Sequence, residues 1–187
     1  MYASKFQTKQ GPCQIVWTEH GLRAIVLPNT SHNHIRYRIC SKAPTWVEDL
    51  KSQIVRYFEG DVHALARTNK IKLDYGDTTL FRRNVYEQLR ATKPGERISY
   101  AQLAKEAGAP GAARAVGTAM AKNPFPLLIP CHRVIKSDGT FGRYSALSGT
   151  KSKEELLKME LKPHHKKRQK ITLTTQPAQV SLGRRKK

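Results

Sequence analysis

The spacing of apolar residues changes partway along the chain, and this change limits the folds that the chain can adopt. Apolar and polar positions alternate over residues 14–17 and again over residues 22–27, while residues 19–21 have the composition of a turn. Alternation of this kind is typical of half-buried strands. The sequence therefore predicts a hairpin, to which residues 36–39 add a candidate third strand.

A helix is predicted after this sheet. Thr45 is predicted to be its N-cap, and the apolar residues that follow recur at helical intervals as far as Gly60. The polar segment 69–77 is then predicted to be a linker. The first part of the chain is thus expected to be a small antiparallel sheet covered by one helix.

Beyond residue 78 the pattern becomes helical. Apolar residues recur at helical intervals over residues 81–89, and the Lys-Pro-Gly-Glu sequence at residues 93–96 ends that helix. Ser99 followed by Gln102 is a capping-box pattern, which predicts the start of the next helix.

A second helix of small residues is predicted at 112–121, after a Gly-Ala-Pro-Gly break at residues 108–111. Two short helices joined by a glycine-containing turn predict a helix-turn-helix unit. Residues 153–160 have the pattern of an amphipathic terminal helix. The predicted fold class is mixed α/β, with an N-terminal domain at residues 1–76 and a helical domain at residues 77–162.

The chain is strongly basic, with 34 Lys and Arg residues against 14 Asp and Glu residues, a formal charge of +20 and a pI near 10.2. This balance favours a polyanionic partner such as nucleic acid. Nine of the basic residues follow Glu160, the last acidic residue, so the remainder of the chain is basic in its own right.

Residues 163–187 cannot form a core and are predicted to be a disordered tail. Basic clusters at residues 166–168 and 184–187 are typical of nuclear import signals or of loose nucleic-acid contacts. A tail that only improves solubility explains them equally well.

The three cysteines, Cys13, Cys40 and Cys131, have no CxxC or paired spacing, and no signal peptide or long apolar run opens the chain. A reducing intracellular compartment is therefore expected. Three histidines invite a metal-site interpretation, but their spacing matches no standard zinc pattern, and no metal is predicted. They are His32, His34 and His63.

Cys131 is the candidate nucleophile, because the adjacent His132 and Arg133 supply a base and a positive field that favour a thiolate. The residues before it, 125–130, are predicted to run extended and apolar into the cysteine. A buried structural cysteine in a strand is the alternative. Asn123, which precedes a proline, has the local signature of a helix C-cap.

Arg114 is a single long cation among the small residues of the helix at 112–121. Small side chains allow a backbone to approach another surface closely, and tight helix packing would need the same residues. The arginine favours approach to DNA, where one side chain pushed into the base stack is sufficient.

Several motifs occur in an order that resembles the 6-O-alkylguanine-DNA alkyltransferases, also called methylated-DNA-protein-cysteine methyltransferases. The resemblance covers about residues 79–161 and is most specific at Pro-Cys-His-Arg; upstream it is looser, around residues 21–22 and 57–60. It implies a ribonuclease-H-like N-terminal domain and a winged-helix-like C-terminal domain. The motifs are Arg97-Ile98-Ser99-Tyr100, Ala112-Ala113-Arg114-Ala115-Val116-Gly117, Asn123-Pro124 and Ile129-Pro130-Cys131-His132-Arg133-Val134.

The resemblance implies that Cys131 takes an alkyl group from the 6-oxygen of guanine, and less well from the 4-oxygen of thymine, and keeps it. Each molecule would act once, without a cofactor. His132 would draw the thiol proton through a bound water, and Glu160 would orient the imidazole. Tyr100 would protonate the guanine ring at nitrogen three.

Four further residues have roles by resemblance around the same pocket. The backbone amide of Ser145 would donate to the guanine oxygen, and Tyr144 would wall the alkyl pocket. Carbonyls of Cys131 and Val134 would accept from the guanine amino group. Asn123 would be a hinge between the recognition helix and the cysteine strand.

The resemblance also implies how DNA is bound. The damaged base is flipped out of the duplex, which costs a few kcal/mol, and Arg114 fills the gap in the stack. The recognition helix enters the minor groove, with Tyr100, Ala113 and Ser137 as further DNA contacts and little sequence preference. A nuclear monomer is expected.

The chain departs from the family pattern in two places. Thr18 stands where some relatives have a zinc-binding cysteine, and Ala146-Leu147 follow Tyr144-Ser145 where many have glycines. Alternative functions are a non-catalytic protein that recognises alkylated guanine, a winged-helix transcription factor and a Cys-His hydrolase. The first lacks the cysteine, and the second gives no reason for Tyr100, Cys131-His132 and Ser145 together. The third explains the thiol but not the DNA-facing helix.

Overall fold

The computed structural model describes residues 1–30, 36–142 and 150–162. Predictions that concern His32, His34, Tyr144, Ser145, the Ala146-Leu147 departure and the tail at 163–187 lie outside these residues. Within the described ranges, no helix combines the length and apolar character needed to cross a membrane.

The N-terminal sheet has four strands in the order β3-β2-β1-β4. The predicted hairpin is confirmed, since β2 and β3 pair antiparallel with Thr18 opposite Gly21. Residues 38–39 form the predicted third strand, but they pair parallel to a strand that the sequence pattern missed, β1. The bounds are β1 Tyr2–Thr8, β2 Gly11–Thr18, β3 Gly21–Val26 and β4 Arg38–Ile39.

The predicted covering helix is α1, Thr45–Phe58, and it turns an apolar face towards the sheet. The prediction that Thr45 is the N-cap is wrong. Pro44 occupies the cap position, and its carbonyl accepts from the amides of Val47 and Glu48 at 2.9 and 3.2 Å. Proline has no amide and a fixed φ, so it suits a position next to the unpaired donors of a first turn. Buried on the inner face are Val47, Leu50, Ile54, Tyr57 and Phe58.

The segment predicted to be a linker lies against the edge of the sheet, where Leu22 and Leu73 form an isolated parallel bridge. The amide of Leu22 donates to the Lys72 carbonyl at 2.9 Å, and the amide of Asp74 donates to the Leu22 carbonyl at 2.7 Å. Gly21 has a φ of +135°, and a β carbon there would overlap the Lys72 carbonyl, so only glycine lets the two backbones approach this closely. A boundary near residue 76 stays a prediction.

The second part of the chain contains the predicted helix-turn-helix unit, formed by α3 and α4. The Ser99 hydroxyl accepts from the Gln102 amide at 3.0 Å, as a capping box requires. The Gln102 side chain donates to Glu106 at 2.8 Å instead of reaching back to the cap. The helices are α2 Leu80–Arg90, α3 Tyr100–Glu106, α4 Ala113–Ala121 and α5 Thr150–Leu161, and two short parallel strands are β5 Ile98–Ser99 and β6 Val134–Ile135.

One apolar core joins the sheet to the helices. Tyr75 and Phe125 meet edge to face with ring centroids 5.6 Å apart, and the amide of Ile25 in β3 donates to the Pro124 carbonyl at 2.8 Å. Buried residues of α1 and α2, such as Ile54 and Leu89, belong to the same cluster. Burial across this junction fixes the end of α1 against the turn that carries Cys131.

Candidate active site

Cys131 begins a short 3-10 turn, Cys131–Arg133, immediately before β6. Its side chain is almost covered, with 5% of the residue exposed, yet it lines a cavity of about 1110 Å³. Tyr100 at the start of α3 and Arg114 in α4 line the same cavity. The structure therefore brings the predicted nucleophile, the predicted proton donor and the predicted DNA-intercalating arginine to one place.

The prediction that residues 125–130 run extended into Cys131 is wrong. The chain reverses on itself, because the Ile129 amide donates to the Phe125 carbonyl at 2.8 Å and Leu127 has a φ of +74°. Apolar runs do not distinguish strands from buried turns. The buried turn presents Cys131 at its end.

Asn123 holds this reversal together. Its side-chain amide donates to the Ile129 carbonyl at 2.8 Å, and its carbonyl oxygen accepts from the Phe125 amide at 2.9 Å. Lys122 occupies the C-cap of α4. Asn123 thus connects the end of α4 to the turn that presents Cys131.

His132 is fully buried, and its Nε2 lies 2.9 Å from Oε1 of Glu160 on α5. A carboxylate only accepts hydrogen bonds, so Nε2 carries the hydrogen and Nδ1 of the neutral ring carries the lone pair. Nδ1 is buried and has no hydrogen-bond partner among the described residues. The imidazole therefore keeps one basic nitrogen available.

Glu160 is surrounded by hydrogen-bond donors, and its side chain is fully buried. Arg133 donates to both carboxylate oxygens at 2.9 Å, and the Gly95 amide donates to Oε2 at 3.0 Å. The Tyr57 hydroxyl donates to Oε1 at 2.8 Å. The carboxylate and the guanidinium form a bidentate pair, the strongest geometry for such groups.

These contacts fix the charge states at the site. Burial alone would raise the pKa of Glu160, but hydrogen bonds from His132 and Arg133, together with the positive charge of Arg133, outweigh it and hold that pKa far below its usual range. Burial lowers the pKa of His132. Glu160 acts in the opposite direction and raises that pKa, whereas the positive charges of Arg133 and Lys153 lower it further. Glu160 is therefore ionised and His132 is neutral near pH 7.

Tyr100 and Lys153 lie next to the nucleophile. Burial, and then the proximity of Cys131, raise the pKa of Tyr100, so its hydroxyl stays protonated and can donate. The Lys153 ammonium lies 5.8 Å from the Tyr100 ring centroid and donates to the carbonyl of Val134 in β6. Lys153 is 1% exposed, and it interacts electrostatically with Cys131.

Not every predicted residue lines the cavity. Ala113 does, but Ser137 lies exposed in the turn after β6. The positive field expected from Arg133 at the thiol is directed elsewhere, because its guanidinium contacts Glu160 and Thr92. Tyr57 and Lys153 are site residues that the sequence analysis does not predict. Their signals are their places on the apolar faces of helices and, for Tyr57, the looser resemblance at residues 57–60.

The candidate metal ligands of the described residues lie apart from one another. Among residues 1–30, 36–142 and 150–162, no three His, Cys, Asp or Glu side chains converge as metal ligands would. Cys13 is buried, with its thiol 3.7 Å from the Thr8 hydroxyl, and burial raises its pKa, which disfavours the thiolate that a metal requires.

Gly142 ends the described part of the loop after β6 and touches Tyr100. A β carbon at this position would overlap the Tyr100 hydroxyl and stand 3.1 Å from two ring carbons. Gly142→Ala is therefore expected to displace the Tyr100 ring. Because Tyr100 is the predicted proton donor, the predicted alkyl transfer should slow by about tenfold. The stability change should stay within about 1 kcal/mol because the ring can move into the cavity.

The rate of reaction and the melting temperature of Gly142→Ala separate these effects. The overlap involves mainly the hydroxyl, so Gly142→Ala should cost little more once Tyr100 is already phenylalanine. Equal losses in the two backgrounds would show that Gly142 acts through another contact.

Comparison with known proteins extends these observations. The family model described as 6-O-methylguanine DNA methyltransferase, DNA binding domain, matches residues 80–162. The methylated-DNA-protein-cysteine methyltransferase of Rattus norvegicus is 40% identical over 146 residues, which cover 75% of this chain and 65% of the rat protein. The chain thus spans slightly less than two thirds of that relative's length.

Two further similarities extend over most of both molecules. The methylated-DNA-protein-cysteine methyltransferase of Salmonella typhimurium is 37% identical over 147 residues, covering 78% of this chain and 81% of that protein. The crystal structure of Mycobacterium tuberculosis OGT in complex with DNA has a TM-score of 0.70 and 30% identity, over 86% of this chain and 92% of that one. Together with the buried Cys-His-Glu arrangement, these similarities establish that the chain belongs to the methylated-DNA-protein-cysteine methyltransferase family.

Proposed function

We propose that this chain repairs DNA by moving a methyl or other alkyl group from the 6-oxygen of guanine to its own Cys131. The observation that carries the proposal is the placement of Cys131, Tyr100 and Arg114 around one cavity, with His132 and Glu160 buried behind the thiol. The names of the relatives and the family of the matched residues support the same activity.

The chemistry is one in-line displacement. The Cys131 sulfur forms a bond to the alkyl carbon as the bond from that carbon to the guanine oxygen breaks, and the electron pair leaves with the guanine. The thiol proton passes through a water molecule to Nδ1 of His132, while Tyr100 donates a proton to guanine nitrogen three. The thioether that forms has no route to hydrolysis, so each molecule acts once.

The substrate base must leave the duplex to reach a thiol that is 5% exposed. Arg114 is exposed on α4, whose neighbouring residues on the cavity are small, including Ala113 and Gly117. We propose that α4 enters the minor groove and that Arg114 replaces the flipped base in the stack. Degenerate readout in that groove predicts little sequence preference.

Transfer of a labelled methyl group tests the proposal. Duplex DNA that carries methyl-labelled 6-O-methylguanine should lose its label to the protein, reaching one methyl group per molecule and then stopping. Mass spectrometry should place the added methyl on the peptide that contains Cys131. Continued turnover, release of methanol or release of a free base would contradict the proposal.

A lesion-binding protein without transfer is the second candidate, because the charge of +20 and the helix-turn-helix unit suit either function. It predicts retained DNA binding with no protein-bound label.

We further propose that the protein works as a monomer in the nucleus, a location that the basic clusters at 166–168 and 184–187 favour. Deleting those clusters should then leave a fluorescent fusion outside the nucleus.

A further inference from the structure

Tyr57, near the end of α1, reaches the buried proton-transfer groups from the sheet-bearing half of the chain. The residue is 1% exposed, and its hydroxyl donates to Oε1 of Glu160 at 2.8 Å. The same hydroxyl lies 3.4 Å from Nε2 of His132. A phenol in this place cannot contact a substrate in the cavity, so any effect on the reaction must pass through Glu160 and His132.

Oε1 of Glu160 is shared by three donors. Besides the bond from Tyr57, it accepts hydrogen bonds from Nε2 of His132 and from one nitrogen of Arg133, both at 2.9 Å. Each added donor spreads the negative charge and weakens the remaining hydrogen bonds to that oxygen. Tyr57 thus competes directly with the imidazole for the oxygen that makes His132 more basic.

We propose that Tyr57 is a positioning residue of the alkyl transfer, which holds Glu160 in place and limits how strongly that carboxylate raises the basicity of His132. The proposal rests on the proposed function, because it concerns the same proton transfer. Tyr57 keeps the imidazole neutral, with its hydrogen on Nε2 and its lone pair on Nδ1, at the pH where the thiol must lose its proton.

The groups that face His132 come from three directions. Cys131 and Arg133 flank it on the same turn, Lys153 and Glu160 face it from α5, and Tyr57 faces it from α1. Burial, and then the charge of Glu160, raise the pKa of Tyr57 well above its ordinary value, so the hydroxyl remains a donor throughout the working range. The remaining cations oppose protonation of His132 whether or not Tyr57 is present.

Tyr57→Phe removes only the hydroxyl and tests this inference. The single-turnover rate of methyl transfer is followed from pH 5 to pH 9. As the pH is lowered, the rate of Tyr57→Phe should begin to fall at a higher pH than that of the unmodified chain, because His132 becomes protonated earlier. We expect a shift of about half a pH unit, a threefold gain in the proton affinity of His132. Nitrogen-15 chemical shifts of the His132 ring, recorded over the same range, should move by the same amount.

Tyr86→Phe is the matched control. Tyr86 is also fully buried and its hydroxyl donates to one backbone carbonyl, that of Ala119, at 2.8 Å. Both variants lose a buried hydrogen bond, but only Tyr57→Phe should move the titration of His132. If the two variants titrate alike, Tyr57 is a structural residue only and the inference is wrong.

Two measurements keep the outcome decisive. If Tyr57→Phe does not fold, 3-fluorotyrosine can be incorporated at position 57 instead. It keeps the ring and makes the hydroxyl a stronger donor, so the His132 titration should move to lower pH. A titration that does not move contradicts the inference. Failure of the unmodified chain to accept any methyl group refutes the proposed function instead. The nitrogen-15 titration would still decide whether Tyr57 controls His132.

Discussion

Replacing Glu160 by alanine is expected to lower the free energy of unfolding by about 3–5 kcal/mol and to abolish alkyl transfer. The substitution removes a fully buried carboxylate and leaves the guanidinium of Arg133 buried without its counter-ion. It also frees the imidazole of His132 to adopt the other tautomer, in which Nδ1 no longer accepts a proton. Urea unfolding and the label-transfer assay measure the two losses.

Glu154→Ala on the same helix is the matched control. Its carboxylate contacts Lys158 at 2.7 Å, but the side chains are 43% and 68% exposed, so the change should cost less than about 1 kcal/mol. Equal destabilisation by the two substitutions would contradict the structural role given to the buried pair.

The same groups predict how stability depends on pH. The pKa of Glu160 is lower in the folded state, so its contribution is complete above the unfolded value of about 4.3 and is lost as pH falls further. The pKa of His132 is also lowered, so protonation of the unfolded chain begins to weaken the fold below about pH 6.5. Both groups therefore lower the free energy of unfolding as the pH falls. Glu160→Ala should remove the part of this decrease that occurs below about pH 4.3.

Replacing Lys153 by methionine is expected to stabilise the fold and to slow alkyl transfer. The ammonium is 1% exposed and donates to the Val134 carbonyl, and burial lowers its pKa. A methionine of similar length avoids the desolvation of that charge and should raise the free energy of unfolding by about 1–2 kcal/mol. Alkyl transfer at pH 7 should nevertheless slow by about tenfold or more, because a cation beside the sulfur favours the thiolate.

Lys158→Met, on the exposed side of the same helix, should change neither quantity appreciably, since that side chain is 68% exposed. Single-turnover rates and urea unfolding of the two methionine variants give the comparison. A Lys153→Met protein that reacts at the normal rate would remove Lys153 from the account of thiol activation.

Periodicity was sufficient to predict the elements that bury an apolar face. The β2-β3 hairpin, α1 and the α3-α4 unit follow from the spacing of their apolar residues. Strand β1 escaped prediction because its covered residues, Ala3, Ser4 and Thr8, are small or polar. The cap of α1 was misassigned because residue type alone favours Thr45, whereas the backbone places Pro44 at that position.

The candidate site is likewise predictable from local sequence only in part. Cys131 and His132 stand out because they are adjacent in sequence, and Arg114 because it is the lone cation of its helix. Tyr57 and Glu160 meet across 103 positions, and no local pattern records such a contact. Long-range pairs of this kind depend on how two apolar faces pack, which sequence spacing does not specify.

The helix α5 supplies both Glu160 and Lys153, although it is the last helix described in the chain. A ribosome-bound polypeptide that already includes the cysteine turn still lacks the groups that tune its sulfur and its imidazole. Molecules in which α5 has not yet been synthesised and packed are therefore expected to react slowly. Under the proposed single-use reaction, this order of assembly would protect unfinished copies from being consumed by stray electrophiles.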